Sequence, residues 1–219
     1  MKNILFLALV ILFISPLYAQ DNRKEINYSY KPEAIANSQS LVWYGYDLRF
    51  SHMLDQKKFG DEEIIVKDHI PGIQTILEEL YKENYVKKLT NKDNVIIEMP
   101  TVHDLADGMN PENFMVRRNI NITIEEVKSI VVEYNLPQNE GLGFVTIVEM
   151  FNKTDTYVSA YIIFFDIKTR EVYHATRTSS SAGGKGGFNQ YWANGIINLT
   201  RDYLYGKNYR RMEKGAVSQ

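Results

Sequence analysis

The sequence predicts an α/β chain with an α+β tendency: a layered sandwich of helices on a mixed sheet, in the order β-α-β-α-β-β-β-α. Two observations carry this expectation. Apolar residues recur at spacings of three and four in 71–89, 124–134 and 188–205, the period of a helix with one buried face. The runs 141–151, 157–166 and 171–178 are rich in β-branched and aromatic residues and are joined only by 152–156 and 167–170, links short enough to require an antiparallel meander. The earlier strands alternate with helices and favour parallel or mixed pairing.

Taken in order, Met1–Ala19 places Lys2 before the unbroken apolar run Ile4–Ile14 and ends on a small residue. The run is too short to span a bilayer and has the layout of a secretory signal peptide, with no cysteine after it to carry a lipid. Residues 20–38 are polar and without period, and are expected to be a flexible lead-in. One α/β domain is expected over 39–206. It starts with the aromatic strand 41–50, followed by an amphipathic helix from Pro71 to Leu89 with Asp68 as its cap. A short strand at 94–101 and an irregular connection over 102–121 come next. Thr123 and Glu126 match a capping box that opens the helix 124–134. The middle strand of the meander, Tyr157–Asp166, is apolar on both faces and so is expected to be central. The tail 207–219 is polar and expected to fray.

Composition narrows the function classes. With 25 basic and 27 acidic residues the chain carries no field that would gather nucleic acid. The absence of cysteine excludes disulfides and thiolate metal sites. No membrane span is expected in the mature form, no cofactor is indicated, and no oligomeric state is specified.

The best-placed chemical candidate is the glycine loop Gly183-Gly184-Lys185-Gly186-Gly187, set between a strand and a helix, where backbone amides and a lysine can hold a phosphate or carboxylate. Gly186 stands where a P-loop needs Ser or Thr, so the reading preferred here is a structural turn. His103 and Asp107 have metal-ligand spacing if helical, but Gly108 and Pro111 point to a solvated loop, and no metal site is expected. Trp43, Tyr44, Tyr46, Tyr191 and Trp192 suit either an aromatic platform for a ligand or, more commonly, a core. No nucleophile elbow, triad or specific carboxylate pair is present, so no catalytic residue is assigned.

In the hairpin Phe164-Phe165-Asp166-Ile167-Lys168-Thr169-Arg170-Glu171-Val172, a strand ends in Asp, a turn contains Thr, and a second strand returns before the last helix. Over residues 141–205 this arrangement resembles the second half of a small α/β module of exported bacterial envelope proteins, among them the activators of peptidoglycan synthases, the curli-export lipoproteins and the amino-terminal domain of the Tol translocation protein. The resemblance implies a noncatalytic module that binds an envelope protein partner, in the periplasm or outside the cell. The alternative expectation is an enzyme or binding protein for a small anionic ligand held at residues 183–187.

The leader reading has a direct check. Mass spectrometry of the exported protein is expected to find Gln20 as the amino terminus; an intact Met1 or an acylated terminus would refute it.

Overall fold

The computed structural model describes residues 26–54 and 60–214; the leader read at 1–19 lies outside the described residues. The long strands build the sheet's centre. β6 (Leu142–Asn152), β7 (Tyr157–Asp166) and β8 (Val172–Ser181) pair antiparallel in sequence order, as the short links require. β2 (Ser40–Asp47) lies parallel to β6 on one side and to β4 (Asn94–Ile97) on the other. β3 (His52–Leu54) follows β2 along the same edge of β6 and pairs in turn with β5 (Met115–Val116). With β1 (Ile26–Ser29) on the free side of β8, the described residues form an eight-stranded mixed sheet, ordered β1-β8-β7-β6-β2-β4 with β3 and β5 beside the end of β6.

Both faces of this sheet are covered. Trp43, Phe144, Val148, Ile162 and Phe164 face α3 (Ile70–Leu80), α4 (Glu83–Thr90) and α7 (Phe188–Tyr205), which contribute Ile73, Leu77, Leu89, Trp192 and Ile196. Val145, Ile147, Tyr161, Ile163 and Phe165 face α6 (Ile124–Glu133) through Val127, Ile130 and Val131. The chain is therefore a three-layer sandwich, and β7 is central. Ile162, Ile163, Phe164 and Phe165 are all fully buried. Among the described residues no helix is long and apolar enough to cross a membrane.

The structure departs from the sequence reading at four places. The expected lead-in contains β1 and α1 (Pro32–Asn37); β1 is held by main-chain bonds to β8, which impose no side-chain pattern, and α1 is anchored by buried Ile35. The expected polar tail contains α8 (Lys207–Glu213), whose Tyr209 and Met212 are buried, with Tyr209 donating to the Thr90 carbonyl at 2.8 Å. The helix expected over 71–89 breaks at Tyr81 (φ −89°, ψ 82°), whose ring packs edge-on to Trp43 with centroids 4.6 Å apart. That helix also begins earlier than expected: α2 (Glu62–Ile64) is capped by Asp61 rather than Asp68 and runs through a π-helical turn, Ile65–His69, into α3. The wider turn shifts the phase of the apolar stripe and hides the start from a 3.6-residue search.

His174 on β8 is buried against α7, its Nε2 2.6 Å from the Tyr203 hydroxyl and 2.7 Å from that of Thr176. Burial lowers its pKa to about 4, so the fold holds the neutral imidazole. Unfolding lets the ring take up a proton below its ordinary pKa near 6.5, so this contribution to stability is complete above that pH and is lost as pH falls toward 4. Denaturant melts are expected to show His174→Gln losing about 3 kcal/mol less than the parent between pH 7 and 4. Parallel pH profiles of the two would contradict the assignment.

Candidate functional site

The glycine loop sits at the end of the sheet where β8 hands over to α7. Gly183, Gly184 and Gly186 have φ of 151°, 103° and 135°, a left-handed series that side chains rarely adopt. The loop is fastened from within: Asn194 Nδ2 donates to the Gly183 carbonyl at 2.8 Å, Asn194 Oδ1 accepts from Gln190, and the Gly183 amide donates to the Tyr191 carbonyl. Lys185 is exposed, and Gly187 caps α7 without a side-chain bond. The five residues are thus kept together, and Asn194 gives their ordering a structural cause that needs no ligand.

The other sequence candidates separate. Trp43, Tyr44, Tyr46 and Trp192 are core rings, with Trp43 stacked on Phe144 at 5.5 Å, so they form no open platform. His103, expected in a solvated loop, is buried, while Asp107 is exposed. The cause lies in β2. Its register against β6 shifts between Trp43 and Tyr46, where Gly45 has φ +78°. The shift turns the Tyr46 amide away from the β6 ladder, and His103 Nε2 accepts its proton at 3.2 Å while Nδ1 donates to Glu78 at 2.7 Å. Both ring nitrogens are occupied. Burial lowers this pKa and Glu78 opposes the drop, so His103 serves as a neutral bolt between β2 and α3 rather than a metal ligand.

A second polar centre lies just past the carboxyl end of β2. Asp47, fully buried, receives Arg49 Nε at 3.1 and 3.2 Å and Nη2 at 2.8 Å, and it accepts from the Tyr134 hydroxyl at 2.8 Å. The guanidinium lies over the rings of Phe50 and Tyr134, 4.9 and 5.6 Å from their centroids. Burial and the adjacent Asp47 push the Tyr134 pKa well above its ordinary value. Arg49 lines a cleft of about 190 Å³ together with His52, Met109 and Asn113. Met109 also borders a cleft of about 230 Å³ against the π-turn residues Val66 and Lys67. These clefts surround the two 3₁₀ turns Asp104–Gly108 and Pro111–Asn113. The Arg49 cleft follows the carboxyl end of β2, a parallel strand, and open α/β sheets hold ligands at such ends. Arg49 and Asn113 belong to no sequence motif; the available signal was the long irregular connection 102–121, a length that is usually functional.

No family model matches this chain, and neither does any curated protein. Among solved structures, the PelC dodecamer from Paraburkholderia phytofirmans (space group P6) is similar at 9% identity and a TM-score of 0.32, covering 90% of this chain and 99% of that one. A PelC variant dodecamer from the same organism is similar at 8% identity and a TM-score of 0.28, covering 81% and 97%. Likeness of this degree carries neither fold nor function across.

A Cβ on Gly45 would lie 2.7 Å from His103 Nε2 at a φ that strains any L residue. Gly45→Ala is expected to lower the unfolding free energy by about 1–3 kcal/mol in denaturant melts. Gly108→Ala, with open space around it, should change it by less than about 0.5 kcal/mol. Equal effects at the two positions would remove the role given to His103.

Proposed function

We propose that this chain is an exported, noncatalytic α/β domain of the bacterial cell envelope that acts by protein contact. The leader-like Met1–Ala19 supports export, and the hairpin 164–172 supports kinship with envelope contact modules. The observation that carries the contact reading is the thin outer layer over Val145, Ile163 and Phe165. α6, with Val102 from the short helix Pro100–His103 and Leu136 beside it, covers that face, and on this side of the sandwich Val132 is 63% exposed and Ile96 on edge strand β4 is 52% exposed. Two exposed apolar side chains beside so thin a layer support a partner at this face, while single exposed apolar residues also stand elsewhere, among them Tyr30, Ile64, Leu80 and Tyr205.

The polar interior supports the noncatalytic half. Besides His103 and Asp47, the fully buried Glu149 receives Arg177 at 2.7 Å, the Ser159 hydroxyl at 3.0 Å and the Ile122 amide at 2.7 Å. The carboxylates of Asp47 and Glu149 and both ring nitrogens of His103 are thus taken up by bonds within the fold. The alternative, an anionic ligand at Gly183–Gly187, has Lys185 in its favour and the Asn194 fastening against it.

Photo-crosslinking side chains placed in cells at positions 132 and 96 are expected to give a discrete adduct in the envelope fraction, and one placed at Lys88 on α4 none. A thermal-shift panel of nucleotides and sugar phosphates on the purified protein is expected to leave the melting temperature of both the parent and Lys185→Ala unchanged. Adducts confined to the cytosol, or equally strong from position 88, would overturn the contact reading. A saturable shift of several degrees that Lys185→Ala abolishes would replace it with the anion reading.

A further inference from the structure

The Arg49 cleft has no part in the contact reading, yet it is built as a recognition site. Asp47 takes the Nε edge of the guanidinium through Nε and Nη2, with the Tyr134 hydroxyl on the same side. A guanidinium bound along that edge still presents its end-on edge, one N–H from each terminal nitrogen, parallel and spaced to match the two oxygens of a carboxylate. Arg49 is also pre-organised. Three hydrogen bonds to Asp47 and two rings fix its plane, and its side chain is 21% exposed, so a ligand meeting it orders no loose side chain.

The surrounding groups select the ligand's charge. Asp47 cancels the guanidinium charge within the site, which disfavours a phosphate dianion more than a single negative charge. Burial lowers the pKa of His52 on the cleft wall, so at neutral pH it brings no second positive charge. Asn110 uses its carbonyl oxygen to accept from the Glu112 amide, which leaves its NH₂ as a donor at the rim, and Asn113 adds a second amide. The cleft of about 190 Å³ has room for roughly six waters, enough for a carboxylate and a few attached atoms, with the remainder of a longer ligand outside its mouth.

We propose that the cleft between Arg49 and the 109–114 segment binds a monoanionic carboxylate on the end-on edge of the Arg49 guanidinium. The carboxylate belongs either to a small organic acid or to the carboxyl terminus of a peptide; the site chemistry is the same.

Calorimetric titration of the purified full-length mature protein at about pH 8.5, where inorganic phosphate is a dianion, tests this with four probes: lactate, inorganic phosphate, a short peptide with a free carboxyl terminus, and the same peptide amidated. Saturable binding of lactate or the free-acid peptide is expected, with phosphate and the amidated peptide at least about tenfold weaker. Tighter binding of the free-acid peptide than of lactate assigns a chain terminus, and equal or weaker binding assigns a small acid. Arg49→Lys keeps a charge for Asp47 but loses the fork, and should weaken binding about tenfold or more. Because that change disturbs a buried partner, two variants clear of the ion pair accompany it. Asn113→Asp adds a repelling charge at an exposed position, and Met109→Trp fills the cleft; each should weaken binding at least about tenfold while leaving the melting temperature within about 2 °C. The proposal is overturned by the absence of binding tighter than about 10 mM, by phosphate or amidated peptide binding as well as the acids, or by undiminished binding in both Asn113→Asp and Met109→Trp.

Discussion

Burial of the central hairpin on both sides is the constraint on which the rest of the molecule depends. Every residue of β6 is buried, and β7 is buried from Tyr157 to Phe165. Paired strands that are apolar on both faces cannot stand at a water boundary, since each large side chain left exposed forfeits roughly 1.5–3 kcal/mol of burial. Two covering layers are therefore required. The segment between β2 and β4 supplies α3 and α4 to one face, and the segment between β4 and β6 passes α6 over the other. The parallel placement of β2, β4 and β6 follows, because a crossover through a helical layer returns a strand in the same direction.

Buried polar groups then fix where each crossover leaves the sheet. His103 and Glu78 tie the bulged centre of β2 to α3, Asp47 and Tyr134 tie its end to the residue that caps α6, and Glu149 receives the Ile122 amide just before α6 begins. Removing one partner from such a group is costly because the other is left charged or unbonded in a low dielectric. Every one of these ties joins segments more than 20 residues apart, which makes them devices for register rather than for local structure.

How much of this was legible depended on how local the cause was. The β6–β7–β8 meander was readable because its links are short, and α6 because Thr123 and Glu126 carry the reciprocal cap seen in the structure, at 3.2 and 2.7 Å. The break at Tyr81 was hidden because the ring it packs against, Trp43, lies 38 residues earlier on β2. α8 was hidden because only Tyr209 and Met212 of its seven residues face the core. The glycine loop could be located from sequence, but its fastening by Asn194 could not. Arg49 read as one more strand residue; its setting exists only once β2 has ended and Tyr134 has arrived from 85 residues away.

The contact between α1 and α8 has a consequence in time. Lys92 donates to the Ile35 carbonyl at 2.7 Å and lies 3.6 Å from Glu213, so the first helix, the entry to β4 and the last helix meet at a single ammonium group. A polypeptide emerging amino end first has α1 and β4 available long before residue 213 exists, while β1 waits for β8 and α1 for α8. Closure of this fold therefore waits until residue 213 has emerged, and until then α1 and β1 stay unlatched and open to handling by other factors.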